Sequence, residues 1–121
     1  MKVDGLKTLF VDIDGTLLKH HGIANKQTLL ETIVLPGVID KLAEWNGKGY
    51  IIVLTTGRRE SERKLTIKQL QKIGIQYDHL VMGLGRGSRV LINDIKPDSD
   101  NNPTAVAINI ERNKGLKNIE I

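Results

Sequence analysis

A chain of 121 residues with no cysteine, a formal charge of +4 and 40% hydrophobic residues has the size of one domain and can bury a single core. None of its apolar runs approaches the roughly 20 residues needed to cross a bilayer, and the lack of cysteine removes disulfide frameworks and thiolate metal sites. The basic balance draws anionic partners, but an aromatic content of 3% argues against stacked nucleic acid as one of them. With no long apolar stretch or small-residue cleavage site among the first residues, the expectation is a cytoplasmic protein without a membrane partner.

Residues 6–13 form the first apolar, β-branched-rich run and read as a strand. Residues 18–35 are longer than a simple connection needs, so they read as a loop or flap with a short helical turn, reaching over whatever lies at the strand's end. Pro36-Gly37 then opens a helix whose stripe is Val38, Ile39, Leu42, Ala43 and Trp45, closed by Asn46-Gly47. A second strand spans 50–55. Over 60–73 the pattern places Leu65, Leu70 and Ile73 on one helical face and Arg63, Lys64, Lys68 and Gln71 on the other, with Gly74 as the stop. Three more runs, 79–82, 90–93 and 105–110, read as strands, and Lys96 to Pro103, "KPDSDNNP", reads as a surface loop. The final "NKGLKNIEI" reads equally as a strand edge, a subunit contact or a frayed end.

Several of these runs are apolar without alternation, which suits strands covered on both faces by helices. Strand, helix, strand, helix, strand is the order of a right-handed α/β fold with a mainly parallel, Rossmann-like sheet. In such folds functional residues collect at the carboxyl ends of the strands. There the first run ends as Asp12-Ile13-Asp14-Gly15-Thr16. Two carboxylates two residues apart leave the strand on one side and repel each other unless a divalent cation or a shared proton intervenes. The second run ends "TTGRR", offering the hydroxyls of Thr55 and Thr56, a permissive Gly57 and the guanidinium groups of Arg58 and Arg59 to phosphate oxygens. The fourth ends "INDIKPD", adding Asn93, Asp94 and Asp98.

"FVDIDGT", "VLTTGR" and "INDIKPD" resemble, in order and spacing, the first, second and fourth motifs of the haloacid-dehalogenase-like (HAD-like) phosphatase superfamily. The resemblance implies a three-layer α/β/α sandwich, and the shortness of the 18–35 insertion implies a single domain without a large cap. It further implies a magnesium-dependent phosphomonoester hydrolase working through an aspartyl phosphate. Asp12 would be the nucleophile, and Asp14 the acid and then the base. Asp12, Asp14, Asp94 and Asp98 would form the metal set, with Thr56, or Thr55 if the strand ends one residue earlier, on the phosphate together with Gly57 and Arg58. The family's third motif supplies a lysine, and 79–93 contain none. Arg86 and Arg89 in "GLGRGSR" are the nearest cations, although an arginine is wider and planar where a lysine is a point charge.

The resemblance implies a small phosphorylated substrate, with a sugar phosphate for surface polysaccharide as the leading class, and a homo-oligomer completing the open site. A phosphatase of nucleic-acid ends is the second reading. A non-catalytic phosphate-binding or receiver-like module is the third, though the third run ends without the acid that a receiver carries there. More plainly read, the glycines of "GLGRGSR" only permit a tight turn, Trp45 is core, and the charges of 60–72 are a helix's wet face.

Overall fold

The structure is a computed structural model and describes residues 6–22, 26–97 and 103–121. Three strands, β1 (Thr8–Asp12), β2 (Ile51–Thr55) and β3 (His79–Val81), form a parallel sheet in the order β1-β2-β3. Helix α1 (Val38–Gly47) connects the first pair and α2 (Arg63–Ile73) the second. Two successive right-handed crossovers in one direction bring both helices to the same face. On that face Ile52 and Leu54 are fully buried, with Leu9, Val11 and Leu80 against the same cluster. Opposite lie Phe10, Ile51 and Val81, at 60%, 46% and 41% exposure.

The helices end where the sequence says they must. Gly37 precedes α1 at φ 76°, a left-handed conformation that only glycine adopts without strain. At the other end of α2, Gly74 is left-handed at φ 78°. Its N–H donates to Gln71 O (3.2 Å) and the Ile75 N–H to Leu70 O (3.0 Å), the pairing that closes a helix while Ile75 and Leu70 pack together. Of the predicted α1 stripe, Val38, Leu42 and Trp45 are buried, whereas Ile39 and Ala43 are exposed. In α2 the buried positions are Thr66 and Leu70, whereas Leu65 is 40% exposed. The helix is rotated because Thr66 has a polar partner inside, described below.

Only three of the five predicted strands have a ladder. Residues 90–93 and 105–110 lie outside the sheet, with Val90, Ile92 and Val106 at 80%, 91% and 82% exposure. An isolated antiparallel bridge between Ile95 and Pro103 and a 2.6 Å bond from Asn93 Nδ2 to Thr104 Oγ1 tie the two stretches together. β-branched composition favours extended backbone, but whether a strand pairs is a tertiary matter.

The insertion at 18–35 is pinned at its root by bonds from Lys19 N to Ile33 O (2.8 Å) and Leu35 N to Leu17 O (2.9 Å), and contains a 3-10 turn over Gln27–Leu29. The C-terminal residues dock too. Leu116 is buried and its N–H donates to Pro36 O at 2.9 Å. Beside it Gly115 sits at φ 81°, and a Cβ there would stand 2.3 Å from Pro36 O. Gly115→Ala therefore combines a backbone clash with a left-handed alanine, and is expected to destabilise the fold by about 2–4 kcal/mol. Thermal unfolding would read this as a clearly lower midpoint, with earlier proteolysis after residue 110.

Candidate active site

Register delivers the site. Asp12 is the Cα partner of Thr55, which in turn partners Val81, so the last residues of the three strands stand side by side at the carboxyl edge. Beyond Asp12 the chain turns sharply. Gly15 takes φ +94°, and its N–H bonds to Leu18 O at 2.7 Å while Leu17 and Leu18 N–H return to Ile13 O at 2.9 and 3.0 Å. Ile13 and Leu17 are fully buried by the same turn. That anchors the loop from below and leaves Asp12, Asp14, Gly15 and Thr16 lining a depression of about 170 Å³, completed by Ile110 and Arg112.

The two carboxylates have different company. Asp12 Oδ2 accepts the Thr16 hydroxyl at 3.1 Å. Although Asp12 as a residue is exposed, its carboxyl group is set into the depression, and loss of water there raises its pKa. The Thr16 hydroxyl and the charge of Arg89 pull the other way, and Asp14 adds to the rise. Asp14 is gripped by Arg58, which donates from Nε to Oδ2 and from Nη2 to Oδ1, each at 2.8 Å. The remaining guanidinium nitrogen, Nη1, reaches Thr66 Oγ1 (3.1 Å) and Gln69 Oε1 (2.7 Å) on α2. A fork of this geometry fixes both position and angle of a carboxylate, yet uses only two of its four lone-pair directions.

Arg58, predicted as a phosphate ligand, thus points at Asp14, Thr66 and Gln69 and is only 8% exposed. Thr56 is buried as well, at 1%, and its hydroxyl accepts the Arg58 N–H at 3.0 Å. Thr55, at the end of its strand and the Cα partner of Asp12, is partly buried. Gly57 is required by packing, because a Cβ there would meet Leu84 O at 2.9 Å. Arg89 donates to the carbonyls of Gly85 (2.6 Å) and Gly87 (2.9 Å) while its charge acts on Asp12. Arg86 is exposed in the same loop.

Asp94 is exposed and pairs with Lys96 at 2.5 Å, and it does not line the depression. Asp98 lies outside the described residues. Among the described residues no three acidic or histidine side chains converge as a metal cage. A magnesium ion needs less than a cage. It binds through one or two carboxylates and substrate phosphate oxygens and keeps several waters, and a partly desolvated Asp12 beside the Asp14 backbone fits that minimal donor set.

Two features were not legible as site residues. Arg112 lines the depression from a point one hundred residues down the chain, and the charges of Arg112, Asp14 and Asp12 act on His20. Burial lowers the His20 pKa, and the nearby Arg112 charge lowers it further. Gly22 N–H donates to His20 Nδ1 at 3.0 Å, which puts the proton of the neutral ring on Nε2. A larger hollow of about 480 Å³ lies between Glu31, Thr32 and α2 and contains none of the predicted site residues.

A family model described as haloacid dehalogenase-like hydrolase matches residues 9–94. Among solved structures, one from the Pnkp1/Rnl/Hen1 complex is 27% identical with a TM-score of 0.58, covering 74% of this chain and 32% of that one. A second, from the Pnkp1/Rnl/Hen1 RNA repair complex, is 31% identical with a TM-score of 0.55, covering 63% and 25%. The chain thus spans a third or less of the length of those two. A structure from Vibrio cholerae, 22% identical with a TM-score of 0.52, is covered to 89% and covers 81% of this chain, a likeness of fold. No curated protein matches.

Proposed function

Because the chain belongs to the haloacid dehalogenase-like hydrolase family, we propose that it hydrolyses a phosphate monoester through a phosphoryl group carried on Asp12. The observation that carries this reading is the division of labour between two neighbouring carboxylates. Asp12 is open to the depression and unpaired with any arginine, while Asp14 is locked in a guanidinium fork. In the first step an Asp12 oxygen attacks phosphorus, the ester P–O bond breaks, and Asp14 gives its proton to the departing oxygen. In the second, Asp14 takes a proton from water, whose oxygen attacks phosphorus and restores Asp12 with release of phosphate. Thr55 holds a phosphate oxygen beside Asp12. Magnesium, held by the Asp12 carboxylate and the Asp14 backbone carbonyl, would neutralise charge on the phosphoryl oxygens.

A depression of about 170 Å³ is smaller than the roughly 300–1,000 Å³ that encloses a drug-sized ligand. It suits the phosphoryl end of a substrate whose remainder stays outside. A sugar phosphate is the leading class, with a second copy of the chain covering the open side. A nucleic-acid end is the second reading, favoured by the likeness to a structure from the Pnkp1/Rnl/Hen1 RNA repair complex. Phosphate release from a panel of sugar phosphates, a generic aryl phosphate and 5′- and 3′-phosphorylated oligonucleotides, with and without magnesium, tests both. The expected result is magnesium-dependent release that is fastest with sugar phosphates. Preference for oligonucleotides, falling steeply with salt, would move the assignment to nucleic-acid ends, and no release from any ester would overturn the hydrolase.

A further inference from the structure

The third-motif lysine is missing, neither Arg86 nor Arg89 lines the depression, and other cations near the strand ends are committed. Arg58 holds Asp14, Arg89 is tied to two carbonyls, and Lys96 pairs with Asp94. We infer that Arg112 is the phosphate-binding cation of this site, its guanidinium taking the oxygens of the substrate's phosphoryl group opposite Asp12. The inference rests on the phosphoryl-transfer reading of the same depression and extends it to a residue that lies beyond the last recognised motif.

Three observations carry it. First, Arg112 is the cation lining the depression that Asp12, Asp14 and Thr16 share. It is exposed, and it makes no ion pair with any described acid. An arginine left unpaired beside two carboxylates retains all five N–H donors for a ligand. Second, its stem crosses the bare face of Gly15, with Cγ 3.2 Å and Nε 3.8 Å from where a Cβ on that glycine would stand. The glycine that turns the Asp loop therefore also makes room for the arginine.

Third, the backbone next to Arg112 is held at some expense. Asn113 has φ 65°, the sole left-handed non-glycine among the described residues. Asparagine tolerates that conformation better than most, but it persists only when its surroundings enforce it. Asn113 N donates to Gly15 O at 2.8 Å, His20 N donates to Asn113 Oδ1 at 2.7 Å, and Asn113 Nδ2 donates to His20 O at 3.0 Å. Buried Leu116 and the Gly115–Pro36 contact fasten the segment from the other side. The clamp ties residues 112–116 to the Asp loop itself, so the arginine keeps its position relative to Asp12. A planar fork at that place also binds differently from a lysine, through two oxygens of one phosphate.

Binding of inorganic phosphate, measured by calorimetry in the presence of magnesium, tests this without turnover. Arg112→Ala is expected to weaken binding by about 10- to 100-fold, Arg112→Lys to recover part of the loss, and added guanidinium ion to restore binding to Arg112→Ala. Lys114→Ala removes the same charge two residues away and is expected to bind as wild type. Phosphate affinity unchanged in Arg112→Ala, an equal loss in Lys114→Ala, or no phosphate binding by the wild type would each overturn the assignment. Arg112-dependent binding in a protein that turns over no ester would uphold it while the hydrolase reading fell.

Discussion

Asp12→Asn is expected to abolish phosphate release, by on the order of 10⁴-fold or more, while raising the thermal midpoint at neutral pH. The two effects share one cause. The nucleophile must be an ionised carboxylate, and loss of water in the depression works against that ionised form and raises its pKa. A carboxyl whose pKa is higher folded than unfolded is fully stabilising only in acid, and that contribution is lost as pH rises through the folded value. Asparagine keeps the shape without the charge, so its advantage over wild type is present at neutral pH and shrinks as pH falls below the folded pKa. A variant that lost activity by misfolding would show a lower midpoint at every pH, so calorimetric scans across pH separate the two explanations.

Arg58→Ala is expected to be among the most damaging single changes in the chain. The guanidinium side chain is 5% exposed and its Asp14 partner 13%, and four of its bonds join the Asp loop to α2. Removing one member of a buried pair leaves the other uncompensated, at a cost of about 3–5 kcal/mol. For a domain of this size that corresponds to a thermal midpoint about 10–20 °C lower. Activity should fall further than stability requires, by about 10²-fold in kcat under conditions where the variant is folded, because Asp14 loses its aim. Arg58→Lys should not rescue it, since an ammonium cannot make the two parallel bonds. Circular dichroism with temperature, alongside kcat measured well below the midpoint, reads both.

How much of this was legible in the sequence depended on whether the signal was local. The Asp12-x-Asp14-Gly15 turn, the Val38, Leu42 and Trp45 positions of the α1 stripe and the Gly74 stop are short-range patterns, and each appears where the spacing put it. Asp12 and Thr55 could be placed at one sheet edge because crossover connections make the strands parallel, and the observed register sets the two side by side. Arg58 was harder. A guanidinium at a strand end next to threonines reads as an anion ligand, and the reasons it turns inward are Thr66 and Gln69, whose approach depends on the rotation of α2. That same rotation exposes Leu65, which an apolar stripe alone would have buried. The 90–93 and 105–110 runs have the composition of strands, but composition does not name a pairing partner. Arg112 had no local signal at all, because what matters about it is the Asn113 clamp on residues 15 and 20, some ninety positions earlier.

The central claim is that phosphorus is transferred to Asp12. The most direct test is to mix the protein with a generic aryl phosphate and magnesium, quench in acid within the first turnovers, digest, and measure the mass of the peptide containing residues 8–19. A phosphoryl adduct on that peptide, localised to Asp12 and absent from Asp12→Asn, is the predicted result. Multiple turnovers of ester with no adduct on this peptide, or an adduct mapped to another side chain, would contradict it.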